Sequence, residues 1–276
     1  MEYDGPLRIP KDERLSAAEA VVEAKFAAQI QDQLDEMIAE YLSRFGAVVD
    51  TDRARELCAD YSTNAATRTR FSRATYNPAK ALADEIYRRE IFGTSPPEGW
   101  LILFTSGGTG VGKSTALAWL SADSETDDRF DLLVDGTLSD YQAAHEKIST
   151  ALALGHRVTV IHVHRELAAT VRLVVERALQ KGRTVALDNI AVTHFRSRET
   201  LFKLVEDFGA RIIVRLLENR GESSRPFSLP ELTKEHGRSI DQLREMAHSL
   251  FVDEFASLKV DHPEIYEAFL QKGSRR

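Results

Sequence analysis

Hydrophobic residues recur at three- and four-residue spacing through the first third of the chain. From about Ser16 to Phe45 they are separated by charged positions, a pattern that predicts one long amphipathic helix. The pattern predicts a second helix from Asp52 to about Tyr61. It predicts a third helix from Pro78 to Ile91, where Pro78 suits the first helical position. The loop-forming stretch GTSPPEG, from Gly93 to Gly99, then marks the clearest predicted domain boundary.

Beyond residue 96 the pattern changes to short apolar runs that alternate with helical segments. The predicted strands are Trp100 to Thr105, Phe130 to Val134, Arg157 to Val163 and Arg211 to Leu217. The predicted helices between them begin near Gly112, Ser139, Leu167 and Ser197, and helical periodicity returns from Leu232 to Leu270. This alternation predicts an α/β fold, with a mostly parallel sheet flanked by helices. We therefore expect an N-terminal helical region over residues 1–95 and an α/β domain with a C-terminal helical extension over residues 96–276.

Composition narrows the class of protein. A chain of 276 residues, 43% hydrophobic and 29% charged, can form one large core and a smaller unit. The net charge of −7 gives no overall attraction to nucleic acid or to an anionic membrane, so neither DNA nor a membrane is expected as a partner. Cys58 is the only cysteine, and the N-terminus lacks the pattern of a signal peptide. These features indicate a soluble, cytoplasmic protein.

The turn after the first apolar run of the second domain fits G-x-x-x-x-G-K-[ST] from Gly107 to Ser114, the pattern of a P-loop. Its glycines let successive backbone N–H groups face phosphate oxygens, and the helix that follows adds its positive dipole end. Lys113 can reach the outer phosphates, and the Ser114 hydroxyl can bind Mg²⁺. The predicted binding residues for ATP or GTP are Gly108, Thr109, Gly110, Val111, Gly112, Lys113, Ser114 and Thr115, with the Thr115 side chain expected to pack inward.

Asp135 directly follows the next predicted strand, at the edge of the sheet where ligands of parallel α/β proteins bind. The favoured role is the general base that accepts the proton of a substrate hydroxyl. A Mg²⁺-binding carboxylate and a residue that caps the following turn are the alternatives.

Other features separate the classes of P-loop protein. The strand from Val158 to Val163 lacks the apolar run followed by aspartate that is typical of motor and AAA-type ATPases, and no guanine-specifying N/T-K-x-D segment is present. His162 and His164 alternate on one strand face and could form a metal pair, but a third ligand is not evident. Core or helix-capping histidines are the favoured interpretation.

Arginines cluster around a glycine-containing bend in the second half of the domain. Arg177 and Arg183 flank Gly182, so we expect a mobile lid whose guanidinium groups neutralise charge on the transferred phosphoryl group. Arg172 is equally well explained as a solvated charge on a helix face.

The chain resembles the zeta-toxin family of P-loop kinases in three segments: GGTGVGKST, LLVDGTLSD and VRLVVERALQKGRTVALDNIAVTH. These kinases are the toxic halves of some bacterial toxin–antitoxin systems. The resemblance implies ATP or GTP as donor, Mg²⁺, an antitoxin partner, and phosphoryl transfer to a hydroxyl of a nucleotide-sugar such as UDP-N-acetylglucosamine or of a related nucleotide. Lys113 and Ser114 match the family's P-loop, Asp135 matches its aspartate after the second strand, and Arg183 matches an arginine of its lid.

The favoured hypothesis is therefore a cytoplasmic small-molecule kinase of zeta-toxin type. In the alternative, the chain is a nucleotide-dependent regulatory ATPase that acts through a protein partner of its N-terminal helices. Those helices are either an ordinary packed extension, which we favour because an amphipathic helix usually buries its apolar face in its own domain, or a segment that occludes the kinase. The resemblance to the zeta-toxin family also implies a second lid arginine, for which Arg196 or Arg198 is the candidate.

Overall fold

The computed structural model describes residues 7–93, 99–122, 130–221, 223–235 and 237–271. The chain divides into two compact units. The N-terminal unit contains residues 1–95 together with Gln180–Arg183, and the second unit contains residues 96–179 and 184–276. Most of the predicted linker, residues 94–98, lies outside the described residues.

The helices of the N-terminal unit are α1 (Ala17–Asp32), α2 (Leu34–Phe45), α3 (Thr51–Arg55), α4 (Ala59–Ser62), α5 (Ala65–Phe71) and α6 (Tyr76–Gly93), with a short strand β1 (Val48–Asp50) between α2 and α3. The prediction of one helix from Ser16 to Phe45 is wrong, because the backbone of Gln33 leaves the helical region at φ −130° and ψ 37°. The two halves bury separate apolar sets, including Phe26 and Ile30 on α1 and Tyr41 on α2.

The second predicted helix is also interrupted. Its two parts are α3 and α4, separated by residues 56–58, and Cys58 is the buried N-cap residue of α4. The pattern gave no signal for α5, whose start is fixed by a capping box between Asn64 and Thr67.

In the second unit the strands are β2 (Leu101–Ser106), β3 (Leu132–Asp135), β4 (Arg157–His164), β5 (Ile212–Asn219) and β6 (Ser224–Pro226). The helices are α7 (Lys113–Ala122), α8 (Tyr141–Ala153), α9 (Leu167–Lys181), which runs on into the N-terminal unit, α10 (Leu187–Phe208), α11 (Leu229–Glu235), α12 (Ile240–Glu254), α13 (Leu258–Asp261) and α14 (Pro263–Leu270). A 3-10 turn at Gly209–Arg211 joins α10 to β5. None of the helices among the described residues combines the length and the apolar character that a membrane span requires.

These five strands form one sheet in the order β3-β2-β4-β5-β6. β2 lies between β3 and β4 with parallel pairing on both sides, β4 and β5 are also parallel, and only β6 pairs in the antiparallel sense. The predicted mostly parallel α/β fold is confirmed. Because β2 is central, the P-loop that follows it has neighbouring strand ends on both sides.

Helix α10 begins ten residues earlier than the predicted start at Ser197. Its first turns carry the buried residues Leu187, Ile190, Ala191 and His194, which lie on one helix face. Together with α9, α12 and α14, this helix forms an apolar core around Phe251. The segment that we read as part of a lid is therefore mostly helix, and this helix packs beside the P-loop.

Candidate functional site

The P-loop adopts a backbone that depends on its glycines. Gly107, Gly110 and Gly112 have φ values of 129°, 85° and 81°, in a region that residues with a side chain rarely adopt. A Cβ atom on Gly107 would overlap the carbonyl oxygen of Val163 on β4. The same atom on Gly110 or Gly112 would overlap a side chain of α9 or of β5. The loop is therefore tightly enclosed and has no room for side chains at these positions.

Two side chains that the sequence did not single out form hydrogen bonds with the backbone of the P-loop. Asn219, the last residue of β5, is buried, and its Nδ2 donates to the carbonyl oxygens of Val111 (2.8 Å) and Gly112 (3.4 Å). Thr193 of α10 accepts a hydrogen bond from the backbone N–H of Thr109 at 3.0 Å. The rule that ligands bind at the carboxyl ends of parallel strands is the one signal that could have singled out Asn219.

The residues that end the P-loop form the first turn of α7. Lys113 is half-buried, whereas Ser114 and Thr115 are exposed. The expected inward packing of Thr115 is wrong, because the buried face of α7 begins at Ala116, which is 1% exposed. Both side chains are therefore exposed in the first turn of α7.

Asp135 is the last residue of β3, and its carboxylate is held by the neighbouring strand. Its Oδ1 accepts a hydrogen bond of 2.6 Å from the hydroxyl of the buried Thr105 on β2. The same threonine oxygen accepts the N–H of Gly136 at 2.9 Å. Helix α8 is capped by Asp140, whose carboxylate accepts the N–H of Ala143. The observed partner of Asp135 is thus a side chain that orients its carboxylate.

The loop after Asp135 connects this carboxylate to the P-loop. The N–H of Gly107 donates to the carbonyl oxygen of Thr137 at 3.1 Å. Leu138 has a φ of 47°, which is uncommon for a residue with a side chain, and such strained positions concentrate at functional sites. The structure therefore brings the P-loop and the loop of Asp135 together at one edge of the sheet.

The histidines of this region are core residues. His162 is 1% exposed, and its Nδ1 lies 2.9 Å from the Ser106 hydroxyl. Burial, reinforced by the charges of Arg198 and Lys113, lowers the pKa of His162 to about 3. Burial and the charge of Arg198 lower the pKa of His164 to about 4. The favoured interpretation of this pair as core histidines is confirmed. Within the described residues, no group of three or more His, Cys, Asp or Glu side chains is arranged to hold a metal ion.

Arg198 belongs to the same buried cluster and is not a lid residue. It is 4% exposed in the middle of α10, and its Nη2 hydrogen-bonds to ring nitrogens of His164 (3.3 Å) and His194. Burial and the guanidinium charge lower the pKa of His194 well below its usual value, so both rings are neutral acceptors. Arg196 lies half-buried on the same helix.

Arg183 lies in the N-terminal unit, where its guanidinium meets two carboxylates. Its Nη2 donates to Oε1 of Glu56 at 3.1 Å, and its Nη1 lies 3.8 Å from Oδ2 of Asp52. Glu56 also forms an ion pair of 2.8 Å with Arg68. Burial raises the pKa of Glu56, but the hydrogen bonds from Arg68 and Arg183 outweigh this effect and leave the pKa below its ordinary value.

The residue before Arg183 is fixed in place. Gly182 has a φ of 68°, and its carbonyl oxygen accepts a hydrogen bond of 2.9 Å from the hydroxyl of Thr69. A Cβ atom on Gly182 would overlap the backbone of Ala65, at the start of α5. The bend that was predicted to be mobile is thus held by α3 and α5 of the N-terminal unit.

The other two arginines lie on α9. Arg177, the other predicted lid arginine, is half-buried. Arg172 is exposed and forms a two-pronged ion pair with Glu254 of α12, with Nε–Oε2 at 2.7 Å. The solvated, structural reading of Arg172 therefore fits its surroundings.

Residues 121–227 match the family model described as Zeta toxin. Over this segment the chain is similar to the zeta-toxin family. The zeta-toxin segment contains Asp135, Arg177 and Arg183 and begins after the P-loop, which precedes it in the chain. The resemblance stated from the sequence is confirmed over these residues.

No curated protein matches the sequence. A solved structure from the PezAT chromosomal toxin–antitoxin system of the human pathogen Streptococcus pneumoniae is 14% identical to this chain. The alignment covers 90% of this chain and 82% of that chain, with a TM-score of 0.34.

Proposed function

We propose that this protein is an ATP- or GTP-dependent small-molecule kinase of zeta-toxin type. In this proposal it transfers a phosphoryl group to a hydroxyl of a nucleotide-sugar resembling UDP-N-acetylglucosamine, or of a related nucleotide. The observation that carries the proposal is the joining of a complete P-loop to the loop of Asp135 through the bond from Gly107 to Thr137. The zeta-toxin segment supports the choice of kinase class.

The enclosed loop would hold a nucleoside triphosphate and Mg²⁺. The backbone N–H groups of residues 108–112 would line the phosphates, and Lys113 would place its charge on the outer ones. The exposed Ser114 hydroxyl would be a ligand of Mg²⁺, which when bound neutralises charge on the phosphate oxygens. The lack of space for a Cβ atom at three loop positions supports this use, because a phosphate cradle needs bare backbone.

Asp135 would act on the acceptor. Its carboxylate, oriented by Thr105, takes the proton of the acceptor hydroxyl while the hydroxyl oxygen bonds to the γ-phosphorus. The bond from that phosphorus to the β,γ-bridging oxygen breaks, and the nucleoside diphosphate leaves. Charge on the transferred group is neutralised by Lys113 and, once released from its carboxylates, by Arg183, with Arg177 as the further candidate.

The second candidate function is a nucleotide-dependent regulatory ATPase that acts through a protein partner. The observation that favours it is the engagement of Arg183 by Glu56 and Asp52, since this arginine is then unavailable for phosphoryl transfer. A toxin of zeta type would have an antitoxin as its protein partner, and the zeta-toxin segment supports this choice of partner.

One experiment distinguishes the two functions. The purified full-length protein is incubated with γ-labelled ATP or GTP, Mg²⁺ and a pool of nucleotide-sugars and dinucleotides, and products are identified by mass. We expect a labelled phosphorylated acceptor that is absent with Lys113→Ala. Release of nucleoside diphosphate without such a product would favour the regulatory ATPase, and no nucleotide-dependent reaction at all would contradict both functions.

A further inference from the structure

Arg165 is a cation at the ligand edge of the sheet that neither the P-loop motif nor the zeta-toxin resemblance assigns. It is the first residue after β4, the strand that pairs with β2 in the register Ser106 to His162. Its backbone therefore leaves the sheet at the same edge as the P-loop and beside it.

Among the described residues, the guanidinium of Arg165 forms no ion pair. The side chain is half-buried, and its Nε is buried without a hydrogen-bond partner. By contrast, Arg220, which follows β5, and Arg225 on β6 both form ion pairs with Glu218. A buried N–H group without an acceptor is costly, so a ligand that brought an acceptor to the Nε of Arg165 would remove this cost.

The surroundings of Arg165 connect it to the P-loop. Its Nη2 lies 3.8 Å from the position that a Cβ atom of Gly221 would take. The N–H of Gly221 donates to Oδ1 of Asn219 at 2.9 Å, and the Nδ2 of the same side chain donates to Val111 and Gly112 of the loop. Arg165 therefore borders the turn that supports the second half of the phosphate cradle.

We infer that Arg165 binds a phosphate group of the donor nucleotide, as a further anion-binding residue of the proposed kinase site. The inference rests on the proposed function, because it needs a nucleotide in the P-loop. A planar guanidinium with several N–H donors suits phosphate oxygens, and the buried Nε would gain the acceptor that it lacks. Lys113 and Arg165 would then share the charge of the phosphate chain.

The test measures binding of ATP, AMP and adenosine to the full chain by calorimetry in the presence of Mg²⁺. For Arg165→Gln we expect ATP affinity to fall by about tenfold or more, and adenosine affinity to stay unchanged. Arg165→Lys should lie between, because it keeps the charge and loses the planar fork. Arg220→Gln is the matched control, because this exposed arginine lies in the adjacent turn and is already paired with Glu218. The ATP affinity of the Arg220→Gln protein should stay within about twofold of wild type.

The outcomes separate this inference from the proposed function. If wild type binds ATP and Lys113→Ala weakens it, an unchanged affinity in Arg165→Gln overturns the role of Arg165 alone. An equal loss for adenosine and ATP also overturns it, because the contact would then be to the nucleoside. If wild type fails to bind ATP or GTP, the proposed function and this inference both fail. If Arg165→Gln fails to fold, the test uses Arg165→Lys. An ATP affinity of Arg165→Lys equal to that of wild type would contradict a directional contact between Arg165 and a phosphate group.

Discussion

The hydroxyl of Thr105 determines how Asp135 presents its carboxylate, because a bond of 2.6 Å joins them across β2 and β3. This single contact separates the proposed base from an ordinary surface aspartate. It also fixes which change tests the role most directly, since asparagine keeps the hydrogen bond to the threonine and removes only the basic oxygen.

We expect Asp135→Asn to retain ATP binding and to lower the rate of phosphoryl transfer by about 10²-fold or more, the usual scale for loss of a general base. Binding by calorimetry and single-turnover transfer should be measured on the same preparation. Asp140→Asn is the control, because Asp140 caps α8 a few residues away. A collapse of Mg²⁺-dependent ATP affinity in Asp135→Asn would make this residue a metal ligand instead.

The buried His162 gives a prediction about pH. Its pKa is about 3 in the folded protein, where burial disfavours the charged ring, against about 6.5 for an unperturbed histidine. The unfolded chain therefore binds a proton as the pH falls below 6.5 while the folded chain does not. The free energy of unfolding therefore carries no penalty from His162 above pH 6.5, and it decreases progressively from pH 6.5 down to about pH 3.

Denaturant unfolding between pH 8 and pH 5 should therefore show a falling free energy of unfolding below pH 6.5. His162 steepens this slope by up to about 1.4 kcal/mol per pH unit, and His162→Asn should make the slope shallower. His262, an exposed residue between α13 and α14, is the control position, and the slope of His162→Asn is compared with that of His262→Asn. An unaltered slope in His162→Asn would mean that this ring is protonated in the folded protein.

At the scale of elements, the end of β5 supports the P-loop through Asn219. Removing this side chain leaves the carbonyl oxygen of Val111 without its donor at 2.8 Å, a loss that costs about 1–3 kcal/mol when the group is buried. We expect Asn219→Ala to lower both stability and ATP affinity, the latter several-fold. Asn64→Ala, which removes the N-cap of α5, should lower stability alone. Equal ATP affinity in both variants would show that the support is not needed for binding.

The strand–loop–helix unit around Lys113 could be predicted because its glycines, lysine and flanking apolar runs act locally. The bounds of α9, Leu167–Lys181, follow from residue spacing for the same reason. The start of α10 could not be predicted, because the polar residues Asn189 and Thr193 conceal its buried stripe. The partners of Asp135, Asn219 and Arg183 are set by tertiary contacts: Arg183 and Glu56 are 127 residues apart in sequence.

At the scale of the whole molecule, the N-terminal unit holds the predicted lid arginine. If Arg183 neutralises the phosphoryl group, it must first leave Glu56 and Asp52, so the carboxylates compete with the nucleotide for one guanidinium. We expect Arg183→Ala to lower kcat much more than it raises the KM for ATP, and Glu56→Gln to raise kcat by weakening the competing pair.

Glu85→Gln is the matched control for Glu56→Gln. Glu85 is a similarly shielded carboxylate of the same unit, but its arginine partners, Arg88 and Arg89, lie on its own helix α6. The Glu85→Gln substitution should leave kcat and KM unchanged. A near-normal kcat in Arg183→Ala would place this arginine outside the reaction and would explain its carboxylates as structural.

The short stretch Gln180–Arg183 belongs to the N-terminal unit, although the sequence on both sides of it encodes the second unit. The chain passes between units at 95–96, again at 179–180 and again at 183–184. A recombination event at the first of these points would exchange the N-terminal unit but leave behind four residues shaped to its surface, including a glycine with no space beside Ala65. The N-terminal unit is therefore not an interchangeable module. Substitutions at Ala65, Thr69 or Glu56 should be inherited together with compensating changes more than a hundred codons downstream.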